Sequence, residues 1–177
     1  MLNYGSYAQA HFGYNTSNLA ANGIYTNATD PVLTTTVTEN SEVAISGAAT
    51  GLTIGNWTLS LLSETTARIF FTVEGDINDY EFLTIDAYGE EKALVAYYED
   101  GRYRIDVRDI NAAELDTTIK VVVRNTTDSS ECEISFSAMC YVAGVLANEG
   151  STDSAKKLVK ALKLYNIYAN EYFEKNN

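Results

Sequence analysis

At 177 residues, 46% hydrophobic and 20% charged, the chain is long enough to bury about two thirds of its unfolded surface in one domain without a covalent staple. The net charge of −12 argues against nucleic acid and anionic membrane as partners, since binding to either is built on clustered Lys and Arg; solvation is the ordinary reading of such a charge. The composition is not that of a disordered segment, no apolar run approaches a membrane span, and the N-terminus lacks the basic-then-apolar pattern of a signal peptide, so any export signal is expected outside this sequence.

Residues 1–14 place Met1, Tyr4, Gly5, Ala8 and Phe12 on one helical stripe, with Gly13 as the stop. Residues 15–42, rich in Asn, Thr, Ser and Ala and holding the only proline, Pro31, read as a connector with one short strand at 32–38. From 43 to 136 the period is two. Trp57, Leu59 and Leu61 alternate with Thr58, Ser60 and Leu62 before Ser63–Thr66 turns the chain into Ile69, Phe71 and Val73, a hairpin. Another strand runs from Tyr80 to Asp86.

The strongest local signal is Asp100-Gly101 between alternating strands, which favours a two-residue turn with φ > 0. Its second strand points Arg102, Arg104, Asp106 and Arg108 one way and Tyr103, Ile105 and Val107 the other. Asn111 to Glu114 resembles a capping box and predicts one helical turn across the end of the sheet. Ile119, Val121 and Val123 face Cys132, Ile134 and Phe136 in the final pair.

The period then becomes helical. Ser135 or Ser137 caps a helix over 137–149 with Met139, Val142, Val145 and Leu146 inward, and Gly150 ends it. Ser151 or Asp153 caps a last helix over 152–174, with Leu158, Leu162, Tyr165, Ala169 and Tyr172 or Phe173 as its stripe. The pattern predicts a single module over 1–177: an antiparallel, immunoglobulin-like β-sandwich of about seven to nine strands with N- and C-terminal helices packed together.

The two ends rhyme. A shift of 161 residues sets Tyr4 on Tyr165, Tyr7 on Tyr168, Ala8 on Ala169, Phe12 on Phe173 and Asn15 on Asn176. Such self-similarity marks a repeat array, and the missing first half of the opening helix is expected from a tandem neighbour. Met1-Leu-Asn-Tyr-Gly-Ser-Tyr-Ala-Gln9, Leu61–Phe71 and Leu158-Val-Lys-Ala-Leu-Lys-Leu-Tyr-Asn166 together resemble the modules of large exported surface proteins of gut-dwelling Gram-positive anaerobes, of ruminococcal or clostridial type. His11 departs from that pattern, in which an aromatic is favoured. The resemblance implies an extracellular or cell-surface, non-catalytic module beside other repeats, with host immunoglobulin or a glycan as candidate partners.

Catalysis needs a tuned base beside its partner, and the only histidine is His11; a triad is unsupported and no enzyme is expected. Cys132 and Cys140 lack metal-ligand spacing, and Cys132 reads as a buried free thiol, with a bridge to Cys140 as the alternative. Asp76–Glu81 sets oxygen ligands at short intervals but lacks the glycine and distal Glu of an EF-hand, so it reads as a solvated turn before a calcium site. No cofactor is expected. Tyr97, Tyr98 and Tyr103 flank the Asp-Gly hairpin; an outward ring there can stack on a sugar or anchor a protein contact, and cross-strand packing is the alternative. A spacer that fixes neighbouring modules, and a carbohydrate-binding module of a secreted polysaccharide-degrading system, are the competing readings of function.

Overall fold

The structure, a computed structural model, describes residues 2–18, 30–39, 41–61, 64–86 and 88–176. Met1 of the opening stripe, connector residues 19–29, Leu62, and Ser63 of the predicted turn lie outside them, while Thr65 and Thr66 of that turn belong to the following strand. The chain divides into two compact units: a helical one, Met1–Ser41, Ala112–Asp116 and Met139–Asn177, and a β one, Glu42–Asn111 and Thr117–Ala138.

In the helical unit α1 spans Leu2–Phe12 and stops at Gly13, whose φ of 66° no β-carbon opposes. The strand predicted at 32–38 is absent; instead Pro31–Thr34 forms the short helix α2. The reason is local: the Asp30 side chain accepts from the Val32 amide, and Pro31 sits in the first turn, where its missing N–H costs nothing. α3 spans Ala138–Ala147, with Met139 and Val142 fully buried. α4 spans Asp153–Asn176. Its cap is neither Ser151 nor Asp153 but Thr152, whose hydroxyl accepts from the Ala155 amide at 3.2 Å and whose carbonyl accepts from Lys156 at 3.0 Å.

α1 and α4 lie against each other. The rings of Tyr4 and Tyr165 stack with centroids 5.5 Å apart and planes within 9°, while Val32, Ala161 and Leu164 form a small core under Tyr4, Tyr7 and Ile167. Leu158, Val159 and Leu162 are buried, whereas Tyr172 and Phe173, placed on the stripe by sequence, are exposed. The capping-box turn exists as a 3₁₀ turn over Ala112–Glu114 within this unit. Buried Asn166 holds it, donating to Ala112 O at 2.9 Å and Asp116 Oδ1 at 3.1 Å.

The β unit has nine strands: β1 Ala44–Gly47, β2 Leu52–Leu61, β3 Thr65–Val73, β4 Tyr80–Ile85, β5 Glu91–Ala93, β6 Ala96–Glu99, β7 Arg102–Val107, β8 Ile119–Asn125 and β9 Glu131–Phe136. They form two antiparallel sheets, β1-β9-β8-β4-β5 and β2-β3-β7-β6. Alternation sets the register as read: Ile119 pairs Phe136, Val121 pairs Ile134 and Val123 pairs Cys132. In β2 the register shifts between Ile54 and Trp57, a bulge at Gly55-Asn56 that keeps Ile54 opposite Phe71 and Trp57 opposite Ile69. The inner faces meet through Phe71 on Phe82, centroids 4.8 Å apart, and Trp57 on Phe136 at 5.0 Å. Burial of Phe71, Phe82 and Phe136, with Ile69, Ile105 and Val121 and a half-buried Trp57, supplies the apolar area that holds the unit together.

Candidate functional site

The β6–β7 hairpin closes as its sequence demands. Asp100 and Gly101 have φ of 51° and 82°, a primed turn, and Glu99 pairs Arg102, Tyr98 pairs Tyr103 and Tyr97 pairs Arg104. Because directly opposed residues share a face, the three tyrosines divide. Tyr97, 40% exposed, stands on the outer face beside the Arg104 guanidinium, 5.6 Å from its ring centroid. Tyr98 and Tyr103 lie on the other face, edge to face at 5.0 Å, and Tyr103 stacks on Phe71 at 5.9 Å. Tyr98 remains 68% exposed because β6 is an edge strand, whereas half-buried Tyr103 belongs to the packing.

Register with β3 assembles the outer face. Phe70 pairs Arg104 and Arg68 pairs Asp106, so four of the chain's five arginines, Arg68, Arg102, Arg104 and Arg108, share one sheet surface. Arg102 lies 3.9 Å over the Phe70 ring and donates to Asn56 Oδ1 at 2.7 Å, a guanidinium shielding an outward aromatic from water. Arg104 also bonds Glu99.

Asp106 anchors the arginines. Its side chain is only 3% exposed, with Oδ1 at 2.9 Å from Arg104 Nε and 3.8 Å from Arg68 Nε, and Oδ2 at 3.3 Å from Arg108 Nη2. Oδ1 and the two Nε groups are close, yet none has an aligned hydrogen bond. Charge attraction therefore holds this part of the cluster, and the carboxylate fixes guanidinium groups whose other N–H donors face outward. Beside it, where the chain passes from β5 to β6, a cleft of about 230 Å³ is lined by Lys92, Val95, Tyr97, Asp106, Arg108 and Asp109 among others.

The remaining candidates are engaged otherwise. Asp76 Oδ1 accepts from the Asn78 amide and side chain, capping a 3₁₀ turn over Ile77–Asp79, and Glu81 lies 3.7 Å from Arg124; no three His, Cys, Asp or Glu gather as metal ligands among the described residues. Neither Cys132 nor Cys140 is in a disulfide, and burial pushes the Cys132 thiol up. His11 Nδ1 lies 3.1 Å from Ser154 Oγ, in the open. The hydrogen bond to Asp30, second to burial, raises Tyr7 to about 12, which keeps its phenol protonated.

Sequence reasoning placed the arginines on one face but missed Asp106 as their anchor and Arg68 and Phe70 as their neighbours. The alternation in β7 was the available signal; the β3–β7 pairing joins residues about forty positions apart and leaves no local trace. No known protein family matches the chain, and comparison with curated proteins and with solved structures finds no significant similarity.

Proposed function

We propose that this chain is a non-catalytic binding or adhesion module of an exported bacterial surface protein, and that its contact surface is the β6–β7 hairpin with the outer face of its sheet. The observation that carries the reading is exposed Tyr97 beside Arg104 and Arg102 on the outer face, with exposed Tyr98 on the opposite face of the same edge strand. Tyr and Arg dominate binding hot spots because both combine large contact area with directed donors. An immunoglobulin-like plan supports it: β2-β3-β7-β6 follows the A-B-E-D order and β5-β4-β8-β9 the C′-C-F-G order, with β1 added outside the last strand. The chain departs from antibody domains in having no cysteine on β3 or β8 for an inter-sheet bridge.

A host protein or a glycan is the expected partner. A glycan array and a pull-down from serum or mucus should return a ligand at micromolar affinity or better, weakened at least tenfold by Tyr98→Ala or Tyr97→Ala. Two blank screens, or a ligand indifferent to both substitutions, would overturn the reading. One observation favours a spacer instead: repeat-related Tyr4 and Tyr165 stack on each other. A spacer requires that a tandem two-copy chain melt well above the single one while both screens stay empty.

A further inference from the structure

We propose that the cleft at the β5–β6 crossing is a subsite for one anionic sugar, a pyranose bearing a carboxylate or a sulfate. The proposal rests on the binding reading above and names the ligand class. Size sets the first limit: about 230 Å³ falls below the roughly 300–1,000 Å³ of sites for drug-sized molecules, so one ring fits and an extended chain does not. Shape sets the second. The Tyr97 ring and the exposed Val95 side chain offer an apolar border to the C–H face of a pyranose.

Charge sets the third. Asp106 lines the cleft, but its side chain is nearly all enclosed by three guanidinium groups, so it fixes them rather than facing a ligand. The cations that remain open are Lys92, which makes no ion pair among the described residues, and Arg108, 53% exposed. Arg108 spends part of its fork on Asp106 and Glu64 and keeps further N–H donors. A compact ammonium beside a planar fork suits an oxyanion. Exposed Asp109 and the Thr84 hydroxyl, which itself donates to Lys92 O at 3.4 Å, can accept from ring hydroxyls, so the lining serves a charged sugar better than a bare anion. The overall charge of −12 opposes any approaching anion, so a single sugar is expected to bind weakly, with a Kd on the order of 1 mM.

The test is an NMR titration of the full ¹⁵N-labelled chain at constant ionic strength with glucuronate, glucose 6-sulfate, glucose, acetate and sulfate. Glucuronate or glucose 6-sulfate should shift the β5–β7 amides saturably, and whichever binds more tightly identifies the charged group. Glucose and the free anions should bind at least tenfold more weakly. Lys92→Ala, a surface change that leaves the fold intact, should weaken the sugar at least threefold, as should Tyr97→Ala, while Tyr98→Ala changes nothing. The idea is overturned if neither charged sugar saturates, if acetate or sulfate matches them, or if Lys92→Ala has no effect. A ligand from the array that is lost on Tyr98→Ala, together with an empty titration, would retire the cleft and leave the binding reading standing.

Discussion

In the helical unit Tyr4 is stacked on Tyr165, and Tyr7 is tied to Asp30, whereas in the β unit Tyr97 and Tyr98 stand out from an edge strand. The first pair recurs in α4 as Tyr165 and Tyr168, whereas Tyr97 and Tyr98 are neighbours in the chain. The difference arises from what each element has beside it. A helix stripe meets another helix along its length, so its aromatics become a seam, but alternation turns Tyr97 to the outer face and the edge position leaves Tyr98 covered on one side only, by Tyr103. Tyrosine spacing alone therefore says nothing about binding; the position of the strand in its sheet does.

The contrast is sharpened first by removing what each unit is built on. Phe71→Ala deletes the ring that touches both Phe82 and Tyr103, and should cost about 3–5 kcal/mol in denaturant unfolding followed by emission of Trp57, the only tryptophan. Next comes Asp106→Ala, which leaves three guanidinium groups crowded without their shared counter-charge. Breaking a buried pair costs roughly 3–5 kcal/mol, and since Arg68 and Arg108 are 34% and 53% exposed solvent screening brings the expected loss to about 2 kcal/mol. The same measurement with Asp106→Asn should give a smaller loss.

In the helical unit, Asn166→Ala removes the donor that holds the Ala112–Glu114 turn to α4. About 1–2 kcal/mol should be lost from the melting of the helix signal. Smaller still is the Tyr4–Tyr165 stack, which should show about 0.5–1.5 kcal/mol of coupling in a double-mutant cycle. Tyr98→Ala should stay within about 0.5 kcal/mol of the parent chain. A cost for Tyr98→Ala as large as that of the Tyr4–Tyr165 pair would abolish the distinction between packing tyrosines and presented ones.

Much of this was legible in the residues. Period-two alternation gave the β2–β3, β6–β7 and β8–β9 hairpins and the facing residues of the last, because the side-chain period ties register to one buried face, while the bulge at Gly55-Asn56 and the start of β3 at Thr65 were not read. Asp100-Gly101 gave a turn through its φ requirement. The α2 helix was also written there, in Asp30 before Pro31, but a four-residue helix offers too little periodicity to compete with a Thr-rich, extended reading. The arginine cluster was half legible. Its β7 members share a face by alternation, while its β3 members arrive through a pairing that only the fold specifies.

The smallest effect separates the two units by pH. Burial of Glu39 works against its ionisation, but its hydrogen bond to Lys163, local amide donors and the Lys163 charge outweigh that and hold its carboxyl below the usual range. In the β unit the Ser130 hydroxyl and amide do the same for Asp128. A carboxyl lowered by folding lends stability that is complete above its unfolded pKa, about 4.3 for Glu, and that drains away as pH falls through the lower folded value. Glu39→Gln should therefore flatten the acid limb of the helix signal below pH ~4.3, by under about 1 kcal/mol for a single part-buried pair. Asp128→Asn should instead flatten the acid limb reported by Trp57 emission. If either substitution moves both signals equally, the two units unfold as one, and tyrosine seam and tyrosine surface must be compared within a single cooperative fold.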